Sequence, residues 1–184
     1  MQGTAEELRL ANIVGALSLA MVDKMEQAYA TQTRRGPSAV AAITQIGLEP
    51  GLSIERLRRI IALSHSAAVR LIDQLAAEGL VRRESSGGSD KRARALTLTA
   101  TGEKLFKSAL AARRGVTQAA LARLSPDERR LLEGIAEKMF PALVGPGDDS
   151  DVVCRLCDAS VCPMERCPVP QPGHAISRPE PGHG

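Results

Sequence analysis

Residues 53–99, SIERLRRIIALSHSAAVRLIDQLAAEGLVRRESSGGSDKRARALTLT, decide the fold. Ser53 and Ser64 each stand ahead of a helical apolar repeat and can accept a hydrogen bond from a first-turn N–H, which predicts two short capped helices over 53–62 and 64–78. The inward positions are Ile54, Leu57 and Ile61 in the first and Val69, Ile72, Leu75 and Ala76 in the second. Gly79 stops the second helix at the position after its cap, where a left-handed backbone favours glycine. Residues 80–84 then read as a strand, 85–89 as a glycine-bearing turn, and 94–99 as a returning strand with Leu96 and Leu98 on one side.

Upstream, Leu10, Ile13, Val14, Leu17, Met21, Met25 and Ala28 recur at spacings of three and four. They predict an amphipathic helix of about 25 residues ahead of Gly36 and Pro37, and so long a one-sided helix needs a partner. Pro37 opens another helix with Val40, Ile43 and Ile46 on one face, ending around Gly47 and Pro50. Downstream, a long helix is expected over 99–124. Ser125, Pro126, Asp127 and Glu128 then supply the N-cap, first-turn proline and capping-box glutamate of a helix running to about Phe140. From Pro141 onward lie 8 of the chain's 11 prolines, so that stretch cannot be helical for long. The whole chain of 184 residues is 43% hydrophobic but only 2% aromatic, with no Trp. Its core must therefore be aliphatic, which favours helices over a sandwich or barrel. The length suits one compact domain with appendages.

Two capped helices on a tight turn, followed by a hairpin with a basic tip, are the layout of a winged helix-turn-helix. The expected fold class is mainly α with a small β wing. The solvent face of the second helix carries His65, Ser66, Arg70, Asp73 and Gln74, all able to hydrogen-bond to base edges. An ordinary solvated helix face would have the same look. Charge separates the two readings: residues 52–100 hold nine basic against five acidic side chains, an excess of +4 where phosphates would lie. Residues 145–184 hold three against six, and that stretch should avoid DNA.

The residues Leu57, Leu63-Ser64, Val69-Arg70-Leu71-Ile72-Asp73, Gly79-Leu80-Val81-Arg82-Arg83, Asp90-Lys91-Arg92 and Leu96-Thr97-Leu98-Thr99, in this order and spacing, resemble the MarR-type transcriptional regulators. The resemblance spans roughly residues 5–143. It implies a sequence-specific regulator, usually a repressor, that binds a pseudo-palindromic operator in double-stranded DNA as a homodimer. It also implies an organisation into a dimerisation helix (1–35), a DNA-binding lobe (36–99), further dimerisation helices (100–144) and a tail (145–184). The family's wing motif maps onto Asp90 and Arg92, where the carboxylate can orient the guanidinium. The expected DNA-contacting set is Ser64, His65, Ser66, Arg70 and Gln74 on the reading helix, with Arg82, Asp90, Lys91 and Arg92 on the wing. Ala62 departs from the family, which often has glycine there. A small-molecule effector entering a crevice between the dimer helices and the DNA lobe is implied too, with Tyr29 and Arg34 as candidates for its wall.

Cys154, Cys157, Cys162 and Cys167 form CxxCxxxxCxxxxC outside that core, in a segment too polar and proline-rich to need buried thiols. Four soft ligands so close can surround one metal, zinc or an iron–sulfur cluster. Metal-free thiols that form a redox disulfide, or serve no role, remain the alternative. Residues 8–22 are apolar enough for a signal peptide, but Glu6 and Glu7 stand where basic residues should be, and Arg9 and Asn12 interrupt the run. A cytoplasmic protein with no membrane partner is expected. No nucleophile elbow, phosphate loop or HExxH motif occurs, so an enzyme is not expected. Two rival functions stay open: a winged-helix protein-interaction module with a zinc knuckle, and an iron–sulfur redox-sensing regulator.

Overall fold

The computed structural model describes residues 3–85, 94–144, 150–158, 160–162 and 167–169. Helix α1 (Ala5–Thr33) starts from a reciprocal cap: the Thr4 hydroxyl accepts from the Glu7 N–H, and the Glu7 carboxylate accepts from the Thr4 N–H. This cap lengthens the expected helix at its start. Only the C-terminal part of α1 is buried within the chain, where Tyr29 packs with Val40, Ala109 and Ala112.

Helix α2 (Pro37–Leu48) begins on its proline and is the most enclosed element, burying Val40, Ala41, Ala42, Ile43, Thr44 and Ile46. Helices α3 (Ile54–Ile60) and α4 (His65–Ala77) follow, and the chain bends by 108° between them. Ser53 and Ser64 cap them as expected, accepting from the Arg56 and Ala67 N–H groups. Leu57 and Ile61 are buried as expected, as are Ile72 and Leu75. Ile60 and Ala68 join them, while Val69 and Ala76 are only half-buried. The inward stripe of α4 is thus centred on Ala68, Ile72 and Leu75, and an alanine carries too little apolar area to mark it in the sequence.

Both helices end in the same motif. After α4, Leu80 N–H donates to Leu75 O and Gly79 N–H to Ala76 O, with Gly79 at φ 69°. After α3, Leu63 N–H donates to Arg58 O and Ala62 N–H to Arg59 O, with Ala62 at φ 53°. The departure noted at Ala62 is therefore an alanine held in the left-handed region.

Strands β1 (Leu52–Ser53), β2 (Val81–Ser85) and β3 (Arg94–Leu98) form an antiparallel sheet in the order β1-β3-β2. Val81 pairs with Leu98, and Leu96 lies between Arg83 and Leu52. The hairpin was expected and β1 was not, since two residues show no alternation. It forms because Gly51, at φ 99°, turns the chain and donates its N–H to Leu96 O. The expected tip of the wing, at 86–89, lies outside the described residues.

Helix α5 (Ala100–Leu121) packs along α1 and α2. Its cap, Thr99, also donates its hydroxyl to Gly79 O at 2.6 Å, tying the end of α4 to the start of α5. Helix α6 (Pro126–Leu143) carries the expected capping box of Ser125 and Glu128 and buries none of its side chains. It passes three residues beyond Phe140, with Pro141 inside its last turn. A further helix, α7 (Ser150–Cys154), of only five residues, lies in the stretch expected not to be helical for long.

Candidate nucleic-acid interface

The outer face of α4 presents His65, Ser66, Arg70, Asp73 and Gln74, all exposed. The structure divides their work. Ser64 is committed to the helix cap, and its oxygen lies 3.3 Å from that of Ser66. His65 Nδ1 is 3.7 Å from Glu55 of α3, whose carboxylate also receives two hydrogen bonds from Arg58. Those bonds, ahead of the neighbouring positive charge, hold the Glu55 carboxyl below its ordinary pKa. Gln74 donates its amide to Glu78 one turn on. Arg70 has no ion-pair partner among the described residues.

Asp73 faces the protein rather than a ligand. Its carboxylate lies 2.7 Å from the Arg83 guanidinium of β2, which joins the reading helix to the root of the wing. The sequence reading missed this pair. Its only trace was the Arg82-Arg83 doublet, because neighbouring residues of a strand point to opposite faces. Arg82 takes the outward side, 64% exposed and 3.9 Å from Glu84, which also accepts from the Thr97 hydroxyl. Asp90, Lys91 and Arg92 lie outside the described residues.

Between α1, α2, α3 and α7 is a cavity of about 300 Å³, walled by Met25, Tyr29, Ala41, Ile61, Arg155 and Leu156, among others. Tyr29 is 2% exposed and its hydroxyl has no hydrogen-bond partner among the described residues. Burial raises its pKa, opposed by the charge of Arg113. Tyr29, one of the two candidates named for a crevice wall, lines this cavity. Arg34, exposed at the end of α1, does not line it.

The four thiols are free and half-buried, in a segment whose sequence reads as too polar and proline-rich to need buried thiols. Cys154 interacts with Cys157 and with Cys167, and Cys162 with Cys167. The interaction with Cys154, with the charge of Arg113 assisting against burial, lowers Cys157 to about 6. The same interaction and burial push Cys154 upward. As they stand, no group of three or more His, Cys, Asp or Glu side chains among the described residues is arranged to hold a metal ion.

A model of the MarR family matches residues 36–93, a stretch that takes in α2, α3, α4 and β2 and ends before β3. The transcriptional regulator HosA of Escherichia coli O157:H7 is 31% identical over 100 residues, covering 54% of this chain and 73% of HosA. The chain belongs to the MarR family. Members of the MarR family are transcriptional regulators and not enzymes, in keeping with the lack of catalytic motifs in the sequence.

The MarR fold extends beyond the matched stretch. YusO of Bacillus subtilis superposes with a TM-score of 0.64 at 21% identity, covering 74% of this chain and 97% of YusO. A point mutant of MepR from S. aureus, solved bound to an oligodeoxyribonucleotide, superposes with a TM-score of 0.56 at 18% identity, covering 73% of this chain and 97% of MepR. Almost all of each neighbour is therefore matched, while about a quarter of this MarR-family chain has no counterpart in either. Among the described residues no single helix is long and apolar enough to cross a membrane.

Proposed function

We propose that this regulator binds double-stranded DNA as a homodimer and represses transcription from a pseudo-palindromic operator. The observation that carries the reading is the α4 face: a capped helix, braced behind by its apolar stripe and at its side by Arg83–Asp73, holds Arg70 out with no ion-pair partner among the described residues. Such a helix enters a major groove with Arg70, Ser66 and His65 at base edges, and Gln74 and Ser64 toward its two ends. Arg82, Lys91 and Arg92 then meet the backbone or minor groove, with Asp90 orienting Arg92. MepR, of the same fold and solved bound to an oligodeoxyribonucleotide, supports DNA as the partner.

The homodimer reading rests on two apolar faces that are exposed among the described residues. Leu10, Ile13 and Leu17 of α1 are 61%, 46% and 56% exposed, and Leu131, Ile135 and Leu143 of α6 are exposed as well. A second copy supplies the apolar cover for both. A small-molecule effector fits the cavity beside Tyr29, whose unpaired buried hydroxyl would gain a partner there. A DNA-binding repressor of this kind works in the cytoplasm.

The test is fluorescence anisotropy with the chain's own upstream DNA and with unrelated DNA, over a range of salt. Selective binding that weakens steeply with salt is expected. Arg70→Ala should reduce discrimination between the two DNAs by roughly tenfold or more, as for one lost bidentate base contact. Arg92→Ala should weaken both alike and lower the salt slope by about one. Equal affinity for both DNAs in the unsubstituted protein would overturn the reading and favour a protein-interaction module.

A further inference from the structure

The segment that carries the cysteines lies across the junction between the DNA-binding lobe and the helices α1 and α5. Leu156 packs against both apolar clusters of the chain, the one inside the lobe and the one built around Tyr29. Gln45 of α2 donates its amide to Arg155 O at 2.9 Å. Asp151 lies 3.4 Å from Arg56 of α3, and Asp158 3.0 Å from Arg114 of α5. Ser150, Asp158 and Val169 are all buried. The two aspartates are part of the acidic excess expected to keep this region from DNA, and they are engaged with arginines of the chain itself.

A helix of five residues cannot hold its own shape. Proline-rich chain around it offers few apolar anchors, so a local constraint is needed. The thiols supply one. Cys157 N–H donates to Cys154 O at 2.8 Å, a turn that sets these two side chains next to each other. Cys154 and Cys162 both interact with Cys167, so the four thiols are linked pair by pair. The Arg113 guanidinium lies 3.9 Å from Cys157 Sγ, placed to offset negative charge on the sulfurs.

We propose that Cys154, Cys157, Cys162 and Cys167 bind one zinc ion, and that this ion clasps α7 onto α2, α3 and α5. The thiols contact one another in pairs, so metal entry draws them together. The S–H protons that remain leave to solvent as four zinc–sulfur bonds form, giving a tetrathiolate of net charge −2 beside Arg113. Because Arg155 and Leu156 wall the cavity beside Tyr29, the filled clasp also fixes one side of that cavity. Its effect on DNA binding rests on the regulator reading above, whereas the metal site and the clasp do not.

The experiment uses the full chain purified without chelator and without oxygen. Zinc, iron and acid-labile sulfide are measured per chain, thiol reactivity is followed with a maleimide, and backbone hydrogen exchange at 150–158 is compared before and after metal removal. About one zinc per chain is expected, with thiols that react only after chelation and exchange at α7 that quickens at least tenfold, reversed by added zinc. Cys154→Ser with Cys157→Ser should lose the metal and show the same exchange. Iron with sulfide would overturn the zinc assignment in favour of a cluster. A metal-free chain with four reactive thiols that takes no zinc from a competing chelator would overturn the site. Bound zinc whose reversible removal leaves exchange at α7 unchanged would overturn the clasp. Operator binding is read on the same samples: its absence with and without zinc would count against the regulator reading alone.

Discussion

Ala62 shows how one backbone angle shapes the helix-turn-helix. At φ 53° it occupies the position that Gly79 fills after the next helix, and it makes the same pair of terminal hydrogen bonds. An L-residue in the left-handed region costs about 1–2 kcal/mol, while glycine loses about 0.4–1 kcal/mol through the greater freedom of the unfolded chain. Ala62→Gly should therefore stabilise the protein by about 0.5–1 kcal/mol, read as a rise of a few degrees in thermal midpoint. A lower midpoint would show that the methyl contributes more as a wall of the cavity than it costs in strain. The strain itself was invisible in the sequence, where Ala62 was only a departure from a family habit. The caps were legible because each is local: a Ser and an N–H three residues on, at Ser53, Ser64 and Ser125.

Elements meet closely where α5 begins. A Cβ on Gly102 would lie 2.1 Å from Leu80 O, a backbone atom that itself accepts from the Thr99 N–H. Alanine is favoured over glycine inside a helix by about 1 kcal/mol, but here the methyl would push α5 off the end of β2. Gly102→Ala should thus destabilise by about 1–3 kcal/mol net, the range of an overpacked contact. Urea denaturation checks it, and an unchanged midpoint would mean that the helix can shift freely. At this scale the helices were legible from apolar spacing, and β2 and β3 from alternation. Strand β1, the Arg83–Asp73 brace and α7 were not, since each exists only through partners far along the chain.

In the whole molecule, α6 raises the question of what it packs against. It is a fully capped helix of 18 residues with no side chain fully buried among the described residues, and α1 exposes its apolar stripe as well. Helices of this length are marginal in water without tertiary packing. Ile135→Glu should therefore convert the proposed dimer to monomer in sedimentation. Operator affinity should fall by roughly a hundredfold as the second reading helix is lost. A variant that still sediments as a dimer would place the interface elsewhere.

By itself the sequence determined the order of the helices, their caps, the wing strands and the polar face of α4. Those are set by periodicity and by hydrogen bonds within four residues, which composition and spacing encode directly. Only the tertiary structure decided that Asp73 braces the wing, that Tyr29 walls a cavity, and that the cysteine segment lies against α2, α3 and α5. Each of these joins residues distant in the chain through one ion pair or one buried side chain. Such contacts leave no periodic mark, because their partners are chosen by packing and not by spacing.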